Sequence, residues 1–426
     1  MTALRIGLCL LIAFSVLALG AVEVWSVSIL EVGAALLFIC WAIIAWRTPG
    51  ATIHWNLLHA SVLGLLLVGF AQLAFGGSAY PYLTRVMLLK VAAYFLLLFL
   101  CTQLFRERKD LQRLAWFLMV FCFLVSLLGI VQHFTSDSEI LWISKWKVEH
   151  GMPFGPYVNR NHFAGFVELT LPTGLALLAF RGVKRDLFPL ATLLTVIPVS
   201  AIILSASRGG IIGLALEIAA LALLVRSRKA WKGQRGIIAA MVALLAVGAV
   251  AWVGTSRAIE RFSGTLQEAT LGRRASMFRG AAHIFLDHPI KGSGLGTLVD
   301  VFPAYETAYD GKLIDHVHND YIEGLAETGL LGGICGAIFL WAVYSQGRRN
   351  FAAEQGHFSR GLHAGAIMAV SGLLLHSFVD FNLQIPANAL LFLLQASLVL
   401  APPVAPETVR QRRRGVRDSV PNEAVV

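Results

Sequence analysis

Apolar runs of about bilayer length recur along the whole of this 426-residue chain. A helix that crosses a bilayer needs roughly 20 consecutive, mostly apolar residues. Charged residues make up only 14% of the sequence, against about 25% in a typical soluble domain. The pattern predicts an all-α polytopic membrane protein with about twelve transmembrane helices. The runs lie at about 5–22, 28–46, 57–75, 84–104, 111–133, 163–181, 187–205, 210–226, 236–254, 325–346, 361–379 and 387–402.

Basic clusters between the runs predict how the chain is threaded through the membrane. Cytoplasmic loops carry an excess of Lys and Arg, and each cluster here follows an even-numbered run. Twelve helices with both termini in the cytoplasm satisfy this rule throughout. Residues 1–20 also have features of a signal peptide, but a second apolar run follows directly, which favours a retained first helix. The clusters lie at 106–113, 181–185, 226–235, 348–360 and 410–417.

Two connections are much longer than the others, and both fall on the non-cytoplasmic side. Loops of more than ~12–15 residues are usually functional or disordered, and these two are rich in aromatic residues. In the second, Phe278, Ala281 and Phe285 predict the apolar face of a helix that lies over the mouth of the bundle. The predicted segments are helices 1–5 (1–133), an outer loop (134–162), helices 6–9 (163–254), a large outer loop with short helices (255–324), helices 10–12 (325–402) and a basic tail (403–426).

Several common functional classes find no support in the sequence. The net charge of +10 does not indicate a nucleic-acid partner, because much of the excess lies in the cytoplasmic clusters. All five cysteines fall in apolar runs without a CxxC pair, so neither a disulfide framework nor a metal site is predicted. The GSGLGT segment at 292–297 does not follow a strand, so it fails the context test for a nucleotide loop. We therefore predict no cofactor.

Thirteen of the 35 basic residues lie outside the segments predicted to be cytoplasmic, against the topological bias. Ionisable residues at membrane depth are costly and therefore point to function, and arginine suits phosphate oxygens because its planar group donates in pairs. Arg208 in SASRGG is the clearest case, since Gly209 and Gly210 would let a ligand approach the start of a helix. Snorkelling to a lipid headgroup is the alternative. The thirteen residues are Arg85, Lys90, Lys145, Lys147, Arg160, Arg208, Arg257, Arg261, Arg273, Arg274, Arg279, Lys291 and Lys312.

Arg85 and Lys90 support an anion site less strongly, because an ion pair with Glu217 or Glu168 explains them equally well.

The segment HVHND, residues 316–320, lies just before the tenth run. A neutral imidazole there suits a general base for a hydroxyl group, and Asn319, Asp320 or Asp315 is a candidate to orient it. Two histidines alone are too few ligands for a zinc site. Capping of the next helix by Asn319 or Asp320 is the structural alternative.

Two further polar segments flank helices on the same side. In VNRNHFAG, residues 158–165, the group Arg160, Asn161 and His162 suits a sugar or diphosphate, while Asn161 also suits a helix cap. In HSFVDFNLQIPANA, residues 376–389, polar side chains either bind glycan hydroxyls or hold the bundle together.

Taken in order, SASRGG, GRRASMFRGAAHIFLDHPIKGSGLG and HVHNDYIEGLAETGLLG resemble the central signature of the bacterial O-antigen ligase and polymerase superfamily. These are integral-membrane, GT-C-like glycosyltransferases. The resemblance covers about 202–333, and the two flanking segments resemble further parts of the family.

The resemblance implies metal-independent, inverting transfer of a glycan from undecaprenyl diphosphate to a glycan or lipid A-core acceptor at the periplasmic face of a bacterial inner membrane. By position in the motifs, Arg208 would hold the diphosphate, Arg274 would stabilise it on leaving and His318 would activate the acceptor. A ligase and a polymerase use the same residues, and a transporter or flippase is the alternative from another class. Residues implied in substrate binding are Arg160, Asn161, His162, Arg279, Arg273, His316, Asn319, Arg85 and Lys90.

Overall fold

The computed structural model describes residues 1–136, 139–147, 153–226, 264–307, 313–353 and 356–403. Within these ranges the chain forms thirteen α-helices and one two-stranded hairpin. The helices are α1 (Thr2–Leu17), α2 (Val24–Arg47), α3 (Leu57–Ala74), α4 (Pro81–Leu104), α5 (Arg108–Thr135), α6 (Arg160–Ala179), α7 (Phe188–Leu204), α8 (Arg208–Arg226), α9 (Gly264–Asp287), α10 (Leu298–Val301), α11 (Asp320–Ala353), α12 (His357–His376) and α13 (Pro386–Leu400).

Eleven of the twelve predicted runs correspond to helices of the bundle. Nine helices in the described ranges are long and apolar enough to span a bilayer, and α1 and α13 are shorter apolar helices. The chain is thus an all-α polytopic membrane protein. The ninth predicted run (236–254), the basic cluster at 228–235, the tail from 404 onward, and Arg257, Arg261 and Lys312 lie outside the described residues.

The first long connection contains a short antiparallel hairpin of strands β1 (Glu139–Ile140) and β2 (Ile143–Lys147). The second contains α9 and α10 together with a glycine-rich turn. Both connections therefore carry local structure, as their aromatic content predicted.

Helices α6, α12 and α13 occupy the centre of the bundle. The apolar window of α6 is 100% buried, against 17% for α2. Mean hydropathy follows the opposite order, at 1.3 for the buried α6 and 2.4 for the more exposed α2. A helix that faces lipid must be apolar all round, whereas a helix surrounded by other helices can carry polar groups that these neighbours satisfy.

The basic loops meet at one end of the bundle. The Arg108 guanidinium at the start of α5 lies 5.7 Å from the Phe358 ring centroid at the start of α12. Asn350 near the end of α11 donates hydrogen bonds to the carbonyls of Val399 and Ala401 at the end of α13. Connections that the charge pattern assigns to the cytoplasm therefore lie at one end of the bundle, the basic end.

Helix α1 is packed into the bundle at that end. Its Arg5 side chain pairs with Asp110 at 2.7 Å and donates a hydrogen bond to the Leu104 carbonyl at 2.8 Å. Leu8 and Ile12 are buried against the core. The first apolar run thus forms part of the folded structure.

Helix α11 is broken near its start. Gly329 has φ +62° and ψ −161°, which no α-helical residue adopts, and it divides the helix into an outer segment and a longer inner segment. The freed amides of Leu330 and Leu331 donate to the carbonyls of Pro289 and Ile290, at 2.8 and 3.1 Å. A buried helix break needs such partners, and here the turn after α9 supplies them.

Candidate functional site

The short connection between α12 and α13 organises the end of the bundle opposite the basic end. Its Asp380 side chain is only 1% exposed. One carboxylate oxygen lies 3.2 Å from Nδ1 of His318, and the other accepts a hydrogen bond from the Asn161 amide at 2.5 Å. Nε2 of His162 lies 3.9 Å from the same carboxylate. One buried carboxylate therefore joins the HVHN and NRNH segments.

The charge state of Asp380 follows from these neighbours. Burial alone would raise its pKa, but the hydrogen bond with His318 and the positive potential of His162 and His318 outweigh burial and hold it below its usual range. An ionised carboxylate only accepts hydrogen bonds, so the proton between the two groups belongs to Nδ1 of His318. Nε2 of His318 is then the basic nitrogen, on a side chain that is 27% exposed.

His318 sits in a strained backbone conformation. Its φ of +53° lies in the left-handed region, which a non-glycine residue adopts at a cost of about 1–3 kcal/mol when the surroundings enforce it. The flanking residues do so here. The Val317 amide donates to the Glu323 carboxylate at 3.0 Å, and the Asn319 side chain donates to the Phe378 carbonyl at 3.0 Å.

Asn319 also caps α11, since its side-chain oxygen accepts from the amides of Tyr321 and Ile322. The capping alternative is thus confirmed for Asn319. No hydrogen bond among the described residues joins the His318 imidazole to Asn319, Asp320 or Asp315, so the expectation that one of them orients this ring is wrong. Asp380 does so for His318, whereas Asp320 accepts from the hydroxyl of Ser377 at 2.6 Å.

His316 points to a different partner. Its Nδ1 lies 2.6 Å from a carboxylate oxygen of Glu323. Burial lowers its pKa, but the hydrogen bond and charge of Glu323 outweigh burial, so its pKa is raised. The rings of His162, His316 and His318 all contact Phe381, with centroids 4.7, 4.4 and 4.9 Å away. Within the described ranges no group of three or more metal-ligating side chains is placed to hold a metal ion.

Arg208 begins α8 at the turn after α7, as predicted, and its side chain is exposed. The turn carries a non-glycine residue with positive φ, Ala206 at +53°, and the Ser207 hydroxyl accepts from the Gly210 amide at 3.2 Å. The positive end of a helix and an exposed guanidinium therefore coincide, an arrangement suited to an anion.

The two glycines after Arg208 pack closely against neighbouring helices. A Cβ on Gly209 would overlap the imidazole of His376, and one on Gly210 would overlap Ala164. The glycines thus make room for these helices, and their role in letting a ligand approach stays a prediction. His376 in turn pairs with the buried Glu168 at 2.8 Å, so the turn that holds Arg208 rests on a polar pair inside the bundle.

Helix α9 is confirmed, but its buried face differs from the prediction. Phe278 is 46% exposed, and the buried side chains are those of Met277, Ala281 and Ile284. They form one apolar cluster with Val317, the residue between the two histidines. The helix that carries Arg273, Arg274 and Arg279 therefore packs directly on the His318 segment. Arg273 and Arg274 are half-buried, and Arg279 is exposed.

The start of α6 contributes Asn161 and His162. The helix cap is Asn159, whose side chain accepts from the Asn161 amide at 2.9 Å, so the prediction of Asn161 as the cap is wrong. This leaves the Asn161 side chain available for Asp380. Arg160 is half-buried at the first helical residue.

Arg85 and Lys90 lie on α4 and do not pair with Glu217 or Glu168 as the alternative supposed. The charges that act on Lys90 are the carboxylates of Glu327, Glu31 and Glu323. Arg85 is exposed. No contact joins either residue to Asp380 or His318 in the described part of the chain.

The glycine-rich turn at 292–296 is a dock for α11, a packing site that holds this helix in place and that the sequence did not predict. Gly292, Gly294 and Gly296 all have positive φ, and the turn lies against the backbone of α11 just before its break. Ser293 and Gly294 amides donate to the carbonyls of Ala326 and Glu327 at 2.9 and 3.0 Å. The turn thereby fixes the outer segment of α11, which follows the histidines directly.

Gln72 on α3 ties this turn to the membrane bundle. Its side-chain amide donates to the carbonyls of Lys291 and Glu327, and its oxygen accepts from the Leu295 amide at 2.9 Å. Glu327 completes the dock by accepting from the Leu298 amide at 3.1 Å. Neither Gln72 nor Glu327 stood out in the sequence, because a single polar residue in an apolar run has no distinguishing pattern.

Comparison with known protein families gives a match that includes part of this site. Residues 193–337 match the family model described as O-antigen ligase. The matched range is about a third of the chain and contains Arg208, the arginines of α9, the glycine-rich turn and His318. No curated protein matches the chain. Asp380, which orients His318, lies outside the matched range.

Proposed function

We propose that this chain, which carries an O-antigen ligase domain in residues 193–337, transfers a glycan from undecaprenyl diphosphate to an acceptor hydroxyl. The observation that carries the proposal is the His318–Asp380 pair, held in a strained conformation at the same end of the bundle as Arg208. The membrane is then a bacterial inner membrane, with both termini in the cytoplasm and the site facing the periplasm.

The step assigned to His318 is proton removal from the acceptor. The acceptor oxygen attacks the anomeric carbon, its proton passes to Nε2 of His318, and the bond from the anomeric carbon to the diphosphate breaks with its electron pair leaving on the diphosphate. Attack opposite the leaving group inverts the anomeric centre. Asp380 fixes the imidazole and stabilises the imidazolium that forms. A positioned base typically contributes 10²–10⁴-fold.

The leaving diphosphate gains negative charge as the bond breaks, and arginines aimed at that charge lower the barrier. We assign this role to Arg208, supported by its place at the start of α8, and to Arg274, supported by the packing of α9 on Val317. Arg279, Arg273 and Arg160 are then further contacts for the diphosphate or glycan. Asn161, His162, His316 and Asn319 are positioning residues, since their polar groups contact Asp380, Glu323 or the backbone.

The test uses the purified chain in proteoliposomes with a lipid-linked glycan donor and an acceptor on the same face. We expect His318→Ala and Arg208→Ala each to lose at least ~10²-fold in transfer rate. Arg348→Ala at the basic end is the control and keeps full activity. Full activity of either site variant removes that residue from the mechanism.

Mass spectrometry of the products distinguishes the candidate functions. Glycan on a lipid A-core acceptor indicates a ligase, and longer chains on the lipid carrier indicate a polymerase. Movement of the intact donor across the membrane, without any bond formation, would support a flippase and contradict the proposed chemistry.

A further inference from the structure

A cavity of about 670 Å³ lies at the basic end of the bundle, far along the helices from His318. It is bounded by the α2–α3 and α4–α5 connections and by the ends of α11 and α13. The polar and aromatic side chains that matter here are His54, Trp55, Arg106, Trp341, Arg349 and Asn350.

Positive charge dominates this cavity. Arg106 lines it from the α4–α5 connection and Arg349 from the last part of α11, and no Asp or Glu is among the described residues that line it. Nearby Arg5 and Arg113 both pair with Asp110. By contrast, Arg106 and Arg349 form no ion pair with a carboxylate within the described ranges. Two guanidinium groups that converge on one cavity without a protein counter-ion suit an anion from outside the chain.

Backbone groups add to this preference. Helix α3 begins at the cavity wall, with Asn56 as its cap, so the positive end of its dipole faces the cavity region. The end of α13 also lies there, but Asn350 donates to the carbonyls of Val399 and Ala401. Two of the acceptors that would repel an anion are thus already engaged.

The rim of the cavity is aromatic. Trp341 is 69% exposed and Trp55 is 54% exposed, and tryptophan collects at the level of lipid headgroups. The cavity is thus open at the depth where phosphate groups of the membrane lie.

We propose that this cavity is a second anion site, which binds a phosphate ester between Arg106 and Arg349. It is separate from the proposed catalytic site, because the residues that line it belong to the opposite ends of the helices. The ligand carries one phosphate group and is either an anionic lipid or a soluble molecule.

The alternative is that these arginines only contribute to the excess of positive charge that orients the chain. A matched pair of double variants separates the two explanations. Arg106→Gln with Arg349→Gln removes two charges from the cavity. Arg47→Gln with Arg348→Gln removes two exposed charges from the same end, and neither residue lines the cavity.

The measurement is native mass spectrometry of the full chain in detergent, titrated with dioleoyl phosphatidylglycerol, with dioleoylglycerol or with glycerol 3-phosphate. We expect phosphatidylglycerol to bind the unaltered chain and the control, and to bind the cavity variant at least ~10-fold more weakly. Binding of glycerol 3-phosphate with the same dependence on the variants identifies a soluble phosphate ester as sufficient. Its failure to bind identifies the lipid as the source.

Equal weakening in both double variants would overturn the proposal, as would equal binding of dioleoylglycerol or no binding of either phosphate compound. Glycan transfer by the cavity variant, expected to continue, shows that it is folded. If the double variant does not fold, Arg106→Gln and Arg349→Gln are titrated singly against Arg47→Gln and Arg348→Gln.

Discussion

Replacing Gly292 by alanine tests whether the glycine-rich turn is a dock for α11. A Cβ at this position would overlap the carbonyl group of Glu327 and the amide nitrogen of Thr328. These are backbone atoms of the outer segment of α11, so no side-chain rotation relieves the overlap. The residue also has φ +72°, a region in which alanine is strained.

The expected cost has three contributions. The left-handed conformation costs roughly 1–2 kcal/mol. Forcing atoms into a packed contact costs typically 1–3 kcal/mol. Separating the two chains weakens the hydrogen bonds of the Ser293 and Gly294 amides, each worth about 0.5–1.5 kcal/mol. We expect Gly292→Ala to lower the free energy of unfolding by about 3–8 kcal/mol.

Gly76 provides a matched control. It has φ +64°, and a Cβ there would meet nothing within 4 Å. Gly76→Ala therefore carries only the left-handed cost, roughly 1–2 kcal/mol. The assay compares thermal unfolding of both variants in detergent by tryptophan fluorescence. A melting temperature for Gly292→Ala no lower than that of Gly76→Ala would refute the docking argument.

Three further predictions concern ionisable groups. His316 has a raised pKa, so its pairing with Glu323 stabilises the fold fully below about pH 6.5, and this stabilisation is lost as pH rises through the raised value. The melting temperature should therefore fall from pH 6.5 to 8.5 more in the unaltered chain than in His316→Gln. Parallel curves of melting temperature against pH would contradict this. Asp380→Asn should lower kcat of transfer about 10²-fold or more with little change in KM, and an unchanged kcat would exclude Asp380 from orienting the base. The carboxylate oxygens of Glu217 have no hydrogen-bond partner among the described residues, so Glu217→Gln should leave the melting temperature unchanged or higher. His376→Leu leaves the buried Glu168 without its partner and should lower the free energy of unfolding by about 3–5 kcal/mol. Equal effects of Glu217→Gln and His376→Leu on stability would contradict the assignment of Glu168 as paired and Glu217 as unpaired among the described residues.

The bundle was predictable because hydropathy acts over whole helices. Runs of bilayer length identify each spanning segment, and the basic loops correctly grouped the ends that meet around Arg108 and Asn350. The break in α11 was not predictable in this way. Hydropathy averages over many residues, whereas the break depends on the φ of the single residue Gly329 and on partners contributed by a turn elsewhere in the chain.

The site was predictable only where its chemistry is local in sequence. Arg208 stands out because its positive charge runs against the topological bias, and His318 stands out because it lies in the polar segment HVHND. The partner of His318 lies 62 residues further on. No pattern in the sequence predicts a contact between residues so far apart. The sequence therefore predicts Asp380 only as one of several polar residues that bind glycan or hold the bundle together.

The central position of α13 has a consequence for how the protein is made. This helix contacts α1, α4, α6, α11 and α12, and synthesis produces it after all of them. Its Gln395 donates to the Leu169 carbonyl of α6, and its Asn388 accepts from the Tyr157 hydroxyl. Before α13 is made, the Leu169 carbonyl and the Tyr157 hydroxyl lack these partners. The helices that contact α13 therefore cannot reach their final packing until it is inserted between them.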